Sequence, residues 1–256
     1  MEEEQLLSEK NKHELDRRIS FVDNGHIYYI DGNSKGIISC TTLIHKFFKP
    51  FNATLIIKNI QESEKYKTDS TYKYYKKTME QIKKEWNTTA VLGTKLHHMI
   101  ELYYNNFEVE YEDDSDFTQF LNFEEDHKDI FEIYRTEWKI YSDILKISGS
   151  IDAVFKNPDG TISLVDWKRT PEIMYKSFDD KKGKQPLENV PDCNFYHYSL
   201  QINLYRVILE KYYNQTVKDM FLVVLYPNLK YKKLEVKNMD TEIEAILEYR
   251  KVNYSL

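Results

Sequence analysis

A mixed α/β fold, with one central sheet packed between helices and a helical elaboration before it, is predicted by three features of the sequence. An amphipathic helical pattern begins near Ala90, with Leu92, Leu96, Met99, Ile100 and Tyr103 at three- and four-residue spacing. Three segments rich in β-branched and aromatic residues follow, at 137–141, 146–155 and 161–167. A second amphipathic helix at 196–213 then leads into the apolar strand 220–226, completing the order helix, three strands, helix, strand.

Each element has a local reason. Residues 21–32 read as a strand pair about Asn24-Gly25, a dipeptide that tolerates the positive φ of a tight hairpin. From Thr41 to about Asn87 the pattern is mainly helical, with a break near Pro50. An acidic loop after Asn105 is followed by a helix expected at 124–134. Asn157-Pro158-Asp159-Gly160 separates two of the strand segments, and its turn chemistry predicts that they form an antiparallel hairpin. Residues 177–195 read as a long polar loop; a strand near 231–236 and a helix at 241–252 complete the chain. The expected division is a hairpin and helical elaboration over 1–89 and a core over 90–256, forming one unit.

Composition narrows the function classes. The 256 residues are 41% hydrophobic, enough for a sizeable core, and 30% charged with only 7 Gly and 6 Pro, so no stretch has the make-up of a disordered linker. The N-terminus lacks the basic start and apolar run of a signal peptide, and nothing approaches a membrane span; a soluble, intracellular protein without a membrane partner is expected. Two cysteines, Cys40 and Cys193, are too few for an iron–sulfur cluster or a four-thiolate zinc site, and reduced thiols are expected.

A net charge of −6 weighs against a nucleic-acid partner, but its distribution is uneven. Lysines cluster between Lys65 and Lys84, at Lys181, Lys182 and Lys184, and from Lys230 to Lys237, whereas acids gather at 108–126. A solvated helix face would explain any one run. The first, however, interleaves Lys73, Lys76 and Lys77 with Tyr74 and Tyr75, a mixture able to stack bases and follow a phosphate backbone. These residues, with Lys181, Lys182 and Lys184, are the sequence candidates for nucleic-acid binding.

The chemistry centres on the hairpin. Folding about Pro158 and Asp159 brings Asp152 level with Asp166 on the neighbouring strand, where two carboxylates can share one hard cation. Such a cation activates water and offsets charge in phosphodiester hydrolysis. Lys168 lies two residues beyond Asp166, hence on the same strand face, where an ammonium can orient water or neutralise developing charge. An acid-x-base triplet alone is weak, since about 6 arise by chance in this composition; a salt-bridged surface hairpin would look similar. On the first helix His97 and Glu101 share a face, so an imidazole can join the ligands while Glu101 orients it or binds through water. His98 points elsewhere and reads as structural. Gln201 and Tyr205 repeat the four-residue spacing on the later helix, as phosphate or lysine contacts or as simple helix packing. Glu137 is either a salt bridge at the fold edge or an acid behind the metal ligands.

In order, Gly93-Thr94-x-x-His97-x-x-x-Glu101, Gly149-Ser150-Ile151-Asp152, Asp166-Trp167-Lys168 and Gln201-x-x-x-Tyr205 resemble the motif series of RecB-like nucleases in the PD-(D/E)XK superfamily. That group includes Cas4-type proteins and the mitochondrial genome maintenance exonuclease, with lambda exonuclease more distant. The resemblance covers residues 90–226, and Ser39-Cys40-Thr41-Thr42-Leu43-Ile44 is similar to an upstream segment of such proteins.

The resemblance implies a restriction-endonuclease-like fold and a Mg2+- or Mn2+-dependent deoxyribonuclease, an exonuclease or flap-trimming enzyme of replication, recombination or repair. It further implies metal ligation by His97, Asp152, Asp166 and the Trp167 carbonyl, catalysis by Lys168, and support from Gln201 and Tyr205. Ile151 stands where the family name has Pro, and the iron–sulfur cysteines of Cas4-type members are missing. No Gly-Lys-Ser/Thr phosphate loop is present, so unwinding would need a helicase or recombination partner. A catalytically silent nucleic-acid-binding protein, and a structure-specific endonuclease or RNA nuclease with the same site, are the alternatives. Enrichment in Lys, Asn and Tyr resembles the coding bias of AT-rich genomes, including large DNA viruses and phages.

Overall fold

The computed structural model describes residues 5–113 and 115–254. The first four residues of the N-terminal stretch, one acid of the 108–126 cluster and the last two residues of the chain lie outside the described residues.

The sequence predicts the N-terminal hairpin, and β1 (Ile19–Val22) and β2 (Ile27–Ile30) pair antiparallel. Gly25 supplies the positive φ of +90° in the turn between them. After the four-residue α1 (Leu7–Lys10) and that hairpin, β3 (Ile38–Ser39) leads into α2 (Cys40–His45), whose first turn is capped by the Ser39 hydroxyl accepting from Thr42 N–H. The helical pattern breaks around Pro50 and resumes as α3 (Ala53–Glu62) and α4 (Glu64–Thr68).

The helix expected from Ala90 starts earlier. It is α5 (Met79–Tyr104), because Thr78 and Gln81 form a reciprocal capping box that fixes its start. The next helix is also displaced: α6 spans Asp116–His127, where an acidic loop was expected, and 132–134 belong to a strand. Ser115 caps α6, and Phe117, Phe120 and Phe123 bury one face of it; of its acids, Asp116 pairs with Arg169 and Glu124 accepts from the Tyr104 hydroxyl, while Glu125 and Asp126 are exposed.

Among the described residues one mixed six-stranded sheet follows the order β4 (Glu132–Ser142), β5 (Ile147–Lys156), β6 (Ile162–Lys168), β7 (Val217–Tyr226), β8 (Leu229–Glu235), with the short β3 pairing parallel to the start of β5 on the edge that β6 shares. The predicted β5–β6 turn is built as its residues require: Asn157 N–H donates to Thr161 O at 2.8 Å, Asp159 accepts from the Thr161 hydroxyl, and Gly160 takes φ +83°. β6 and β7 are parallel, joined through α7 (Asn194–Tyr212), and α8 (Asp240–Tyr254) closes the chain.

Both sheet faces are covered. Leu164 and Leu222 pack with α7 and α8, whereas Val165, Trp167 and Val223 pack with Leu96 and Ile100 of α5 and the phenylalanines of α6. β6 is buried on both sides from Ile162 to Trp167, and it carries apolar residues at Ile162, Leu164 and Val165 with the buried Ser163 between them. Cys40 and Cys193 are buried and free. No helix among the described residues is long and apolar enough to cross a membrane.

Candidate active site

The site forms where two strands part. On one edge of β5, Ile147 and Ser148 pair with β3, and Ala153 to Lys156 pair with β6. Residues 149–152 have no strand on that edge, because the last β5–β6 pair is Ala153 with Val165. One step beyond it stand Asp152 and Asp166. The Asp152 carboxylate replaces the missing ladder bond, with Oδ2 accepting from Trp167 N–H at 2.8 Å.

Asp166 is 2% exposed. Its Oδ2 lies 2.6 Å from Lys168 Nζ, an ionic contact too bent for a directed hydrogen bond, and that oxygen has no hydrogen-bond donor among the described residues. The Lys168 ammonium also sits 4.4 Å from the centre of the Tyr198 ring. Alternation along β6 turns Asp166 and Lys168 toward α7 and Trp167 toward α6, where its ring meets Phe120 and Phe123 edge-on.

From the other side α5 presents His97. Its Nε2 donates to Trp167 O at 2.9 Å, while Nδ1 faces Asp152 Oδ2 at 3.6 Å and Glu137 Oε1 at 3.8 Å. Glu101, expected to orient His97, lies instead 3.6 Å from His98. Glu137 takes that orienting place. It reaches inward from β4 with φ +44°, a left-handed conformation that costs a non-glycine residue about 1–3 kcal/mol, and the Ser150 hydroxyl donates to its Oε2 at 2.9 Å.

These groups govern one another's charge. Burial pushes the Asp152 carboxyl up to about 7 despite the nearby His97 and Lys168. Burial would lower His97, but the Asp152 and Glu137 carboxylates prevail and raise it to about 9. Lys168 is likewise held above its ordinary value, burial being outweighed by Asp166 and Asp152. Burial opposes ionisation of Glu137, yet contact with His97 keeps it below the usual range.

One ligand atom each from His97, Glu137 and Asp152 lies within 4.8 Å of the others. Nitrogen and carboxylate donors, with the Trp167 carbonyl and the Asp166 oxygen beside them, are a donor set suited to a small divalent cation. Such a cation would take over the positions that the His97 and Lys168 protons now neutralise.

α7 buttresses the opening. Gln201 Nε2 donates to the Tyr205 hydroxyl at 2.8 Å, so the expected shared face exists. The Tyr205 ring presses its Cε1 edge against β5 at Gly149, where any Cβ would collide with it. Sequence reading missed Tyr198, whose place beside Lys168 depends on how the second turn of α7 meets β6 in the fold.

The basic candidates separate. Tyr74 accepts from the Trp86 indole N–H at 2.9 Å, Lys77 pairs with Glu85 at 2.6 Å, Lys73 lies over the Tyr74 ring, and Lys76 over Tyr75. Lys73 and Lys76 of this segment are exposed. Lys182 forms a backbone bridge with Pro191, whereas Lys181 and Lys184 line a groove beside α2.

No protein-family profile matches the chain, and no curated protein matches it. Among solved structures it is similar to SSO0001, at 16% identity over 86% of this chain and 77% of that one, with a TM-score of 0.37. It is also similar to a Eubacterium rectale protein that carries a provisional exonuclease assignment, at 9% identity over 59% and 68% of the two chains, with a TM-score of 0.31.

Proposed function

We propose that the protein is a metal-dependent nuclease of the PD-(D/E)XK type that hydrolyses DNA phosphodiesters, acting at ends or flaps. The observation that carries this reading is the meeting of Asp152, Asp166, Lys168 and His97 where β5 and β6 part, with His97 on the Trp167 carbonyl, Asp152 on the Trp167 N–H and Lys168 on Asp166. Structural likeness at these identities adds nothing to it.

Mg2+ or Mn2+ is the cation proposed, with His97 Nε2, Asp152, Asp166 and Trp167 O as its holders. Bound there, it would supply an activated water and charge neutralisation on the phosphate. The chain's own groups do the rest. Glu137 fixes the His97 ring through Nδ1, leaving Nε2 to coordinate. Lys168, released from Asp166, is free to hold the attacking water or the non-bridging oxygen. Burial removes competing solvent, so each of these interactions is stronger than at a surface. Tyr205 and Gln201 keep β5 and α7 in register behind the carboxylates.

A silent nucleic-acid-binding protein would not need a buried lysine held by two carboxylates, and the intact set favours an enzyme. End-labelled linear single- and double-stranded DNA, beside a closed circular control and with or without Mg2+ or Mn2+, tests the proposal. Metal-dependent shortening from an end supports it, and no cleavage of any substrate with either cation overturns it.

A further inference from the structure

A groove with a cavity volume of about 820 Å³ lies between the end of α2, the start of α3 and the loop preceding α7. Two large rings stand exposed in its wall, Phe51 at 72% and Phe178 at 75%. Four lysines, Lys46, Lys49, Lys181 and Lys184, line the same groove. Asp192 is the acid among its described lining residues, and His197 already pairs with it at 3.0 Å. Lys181 sits 4.9 Å from the Phe178 ring centre and 3.6 Å from Asp179, and Lys46 donates to the Tyr254 hydroxyl, so Lys49 and Lys184 are the groove lysines with no side-chain ion pair or hydrogen bond among the described residues. On a chain of net charge −6, this is a locally cationic surface carrying two exposed aromatic rings.

The groove is built partly from the same elements as the candidate active site, α7 and the β3–α2 junction. His197 lines it, and the next residue of α7, Tyr198, lies beneath the Lys168 ammonium. Thr42 lines it as well, hydrogen-bonded to Ser39, which pairs with Ser148 at the start of the unpaired β5 stretch.

We propose that a single polynucleotide strand follows this groove to the site, its bases stacking on Phe51 and Phe178 and its phosphates meeting the lysines. Stacking on a side chain needs an uncovered base face, which a duplex lacks except at its ends, so the rings select an unpaired strand. The sequence expectation of a strand path along Lys73, Tyr74, Tyr75, Lys76 and Lys77 is the competing path: the Tyr74 hydroxyl and the Lys77 ammonium are engaged within that segment, whereas Lys73 and Lys76 are exposed. The destination of the strand rests on the nuclease reading; its binding does not.

The test is fluorescence anisotropy of labelled oligothymidylate with the full chain in EDTA, across a salt series, so that binding is read without cleavage. Phe51→Ala/Phe178→Ala should weaken affinity roughly tenfold or more with an unchanged salt slope. Lys49→Glu/Lys184→Glu should weaken it and flatten the slope, because fewer counterions are released. All four side chains are exposed, so the core is untouched by either pair of changes. Wild-type affinity in both variants would overturn the groove, whether or not their sedimentation altered as loss of a contact between copies would predict. An equal loss on duplex of the same length, or a larger loss in Lys73→Glu/Lys76→Glu/Lys77→Glu, would also overturn it. Cleavage of the oligonucleotide with Mn2+ is scored separately: groove-dependent binding without cleavage supports the strand path and counts against the nuclease reading alone.

Discussion

The Asp152 carboxylate accepts the Trp167 backbone N–H at 2.8 Å, so one side chain both closes a gap in the sheet and presents a charge to the site. Substitutions at 152 should therefore separate two effects. Asp152→Ala leaves that N–H unpaired and should cost about 1–3 kcal/mol of stability as well as activity. Asp152→Asn retains an acceptor oxygen and should fold at least as stably without metal while losing cleavage. Equal denaturation midpoints for the two variants would show that the hydrogen bond contributes nothing.

Glu137 is expected to act through His97. Glu137→Gln should weaken Mn2+ binding by roughly 10–100-fold, the usual effect of removing the carboxylate behind a ligating imidazole. Glu137→Gly should lose metal affinity similarly but keep its thermal stability, since glycine adopts φ +44° without strain. Isothermal titration with Mn2+ reads both variants, and wild-type affinity in either would reduce Glu137 to a structural residue.

The metal-free protein should lose stability as pH rises. Asp152 titrates near 7 when folded against 3.8 ordinarily, so the folded state holds a proton that the unfolded chain releases, and stability falls between those values. His97, at about 9 against 6.5, contributes stability fully present below 6.5 and lost as pH climbs through 9. Both slopes run the same way. Thermal melts in EDTA should decline from about pH 4 to 9, His97→Ala should flatten the upper part, and Mn2+ should counter the decline. A midpoint rising over that range would contradict the assigned protonation.

Tyr205 needs glycine opposite it. Gly149→Ala should destabilise the protein by about 1–3 kcal/mol through overpacking, and the smaller ring contact of a Gly149→Ala/Tyr205→Leu pair should recover part of that loss. Denaturant midpoints of the single and paired variants decide whether the two positions are coupled.

The sheet was legible because its signals are local: Asn157 to Gly160 spell a turn, and the strands it joins bring Asp152 level with Asp166. α6 was not, because its acids, two of them held by Arg169 and Tyr104 in the folded chain, interrupt three phenylalanines at helical spacing. Four-residue spacing put Glu101 on the face of His97, yet side-chain rotation sends it to His98. Glu137 was left open between two roles, since its reach depends on a left-handed backbone angle that no pattern encodes. Phe51 and Phe178 lie far apart in sequence and meet only in the folded groove.

Single-turnover cleavage of an end-labelled single strand tests the central claim most directly, comparing the wild type with Asp152→Asn, Asp166→Asn and Lys168→Ala in Mg2+ and in Mn2+. The account predicts cleavage by the wild type, with Mn2+ at least as effective as Mg2+ because a nitrogen ligand suits it, and loss of cleavage in each variant while the strand is still bound. Near wild-type turnover in any one of the three would contradict it.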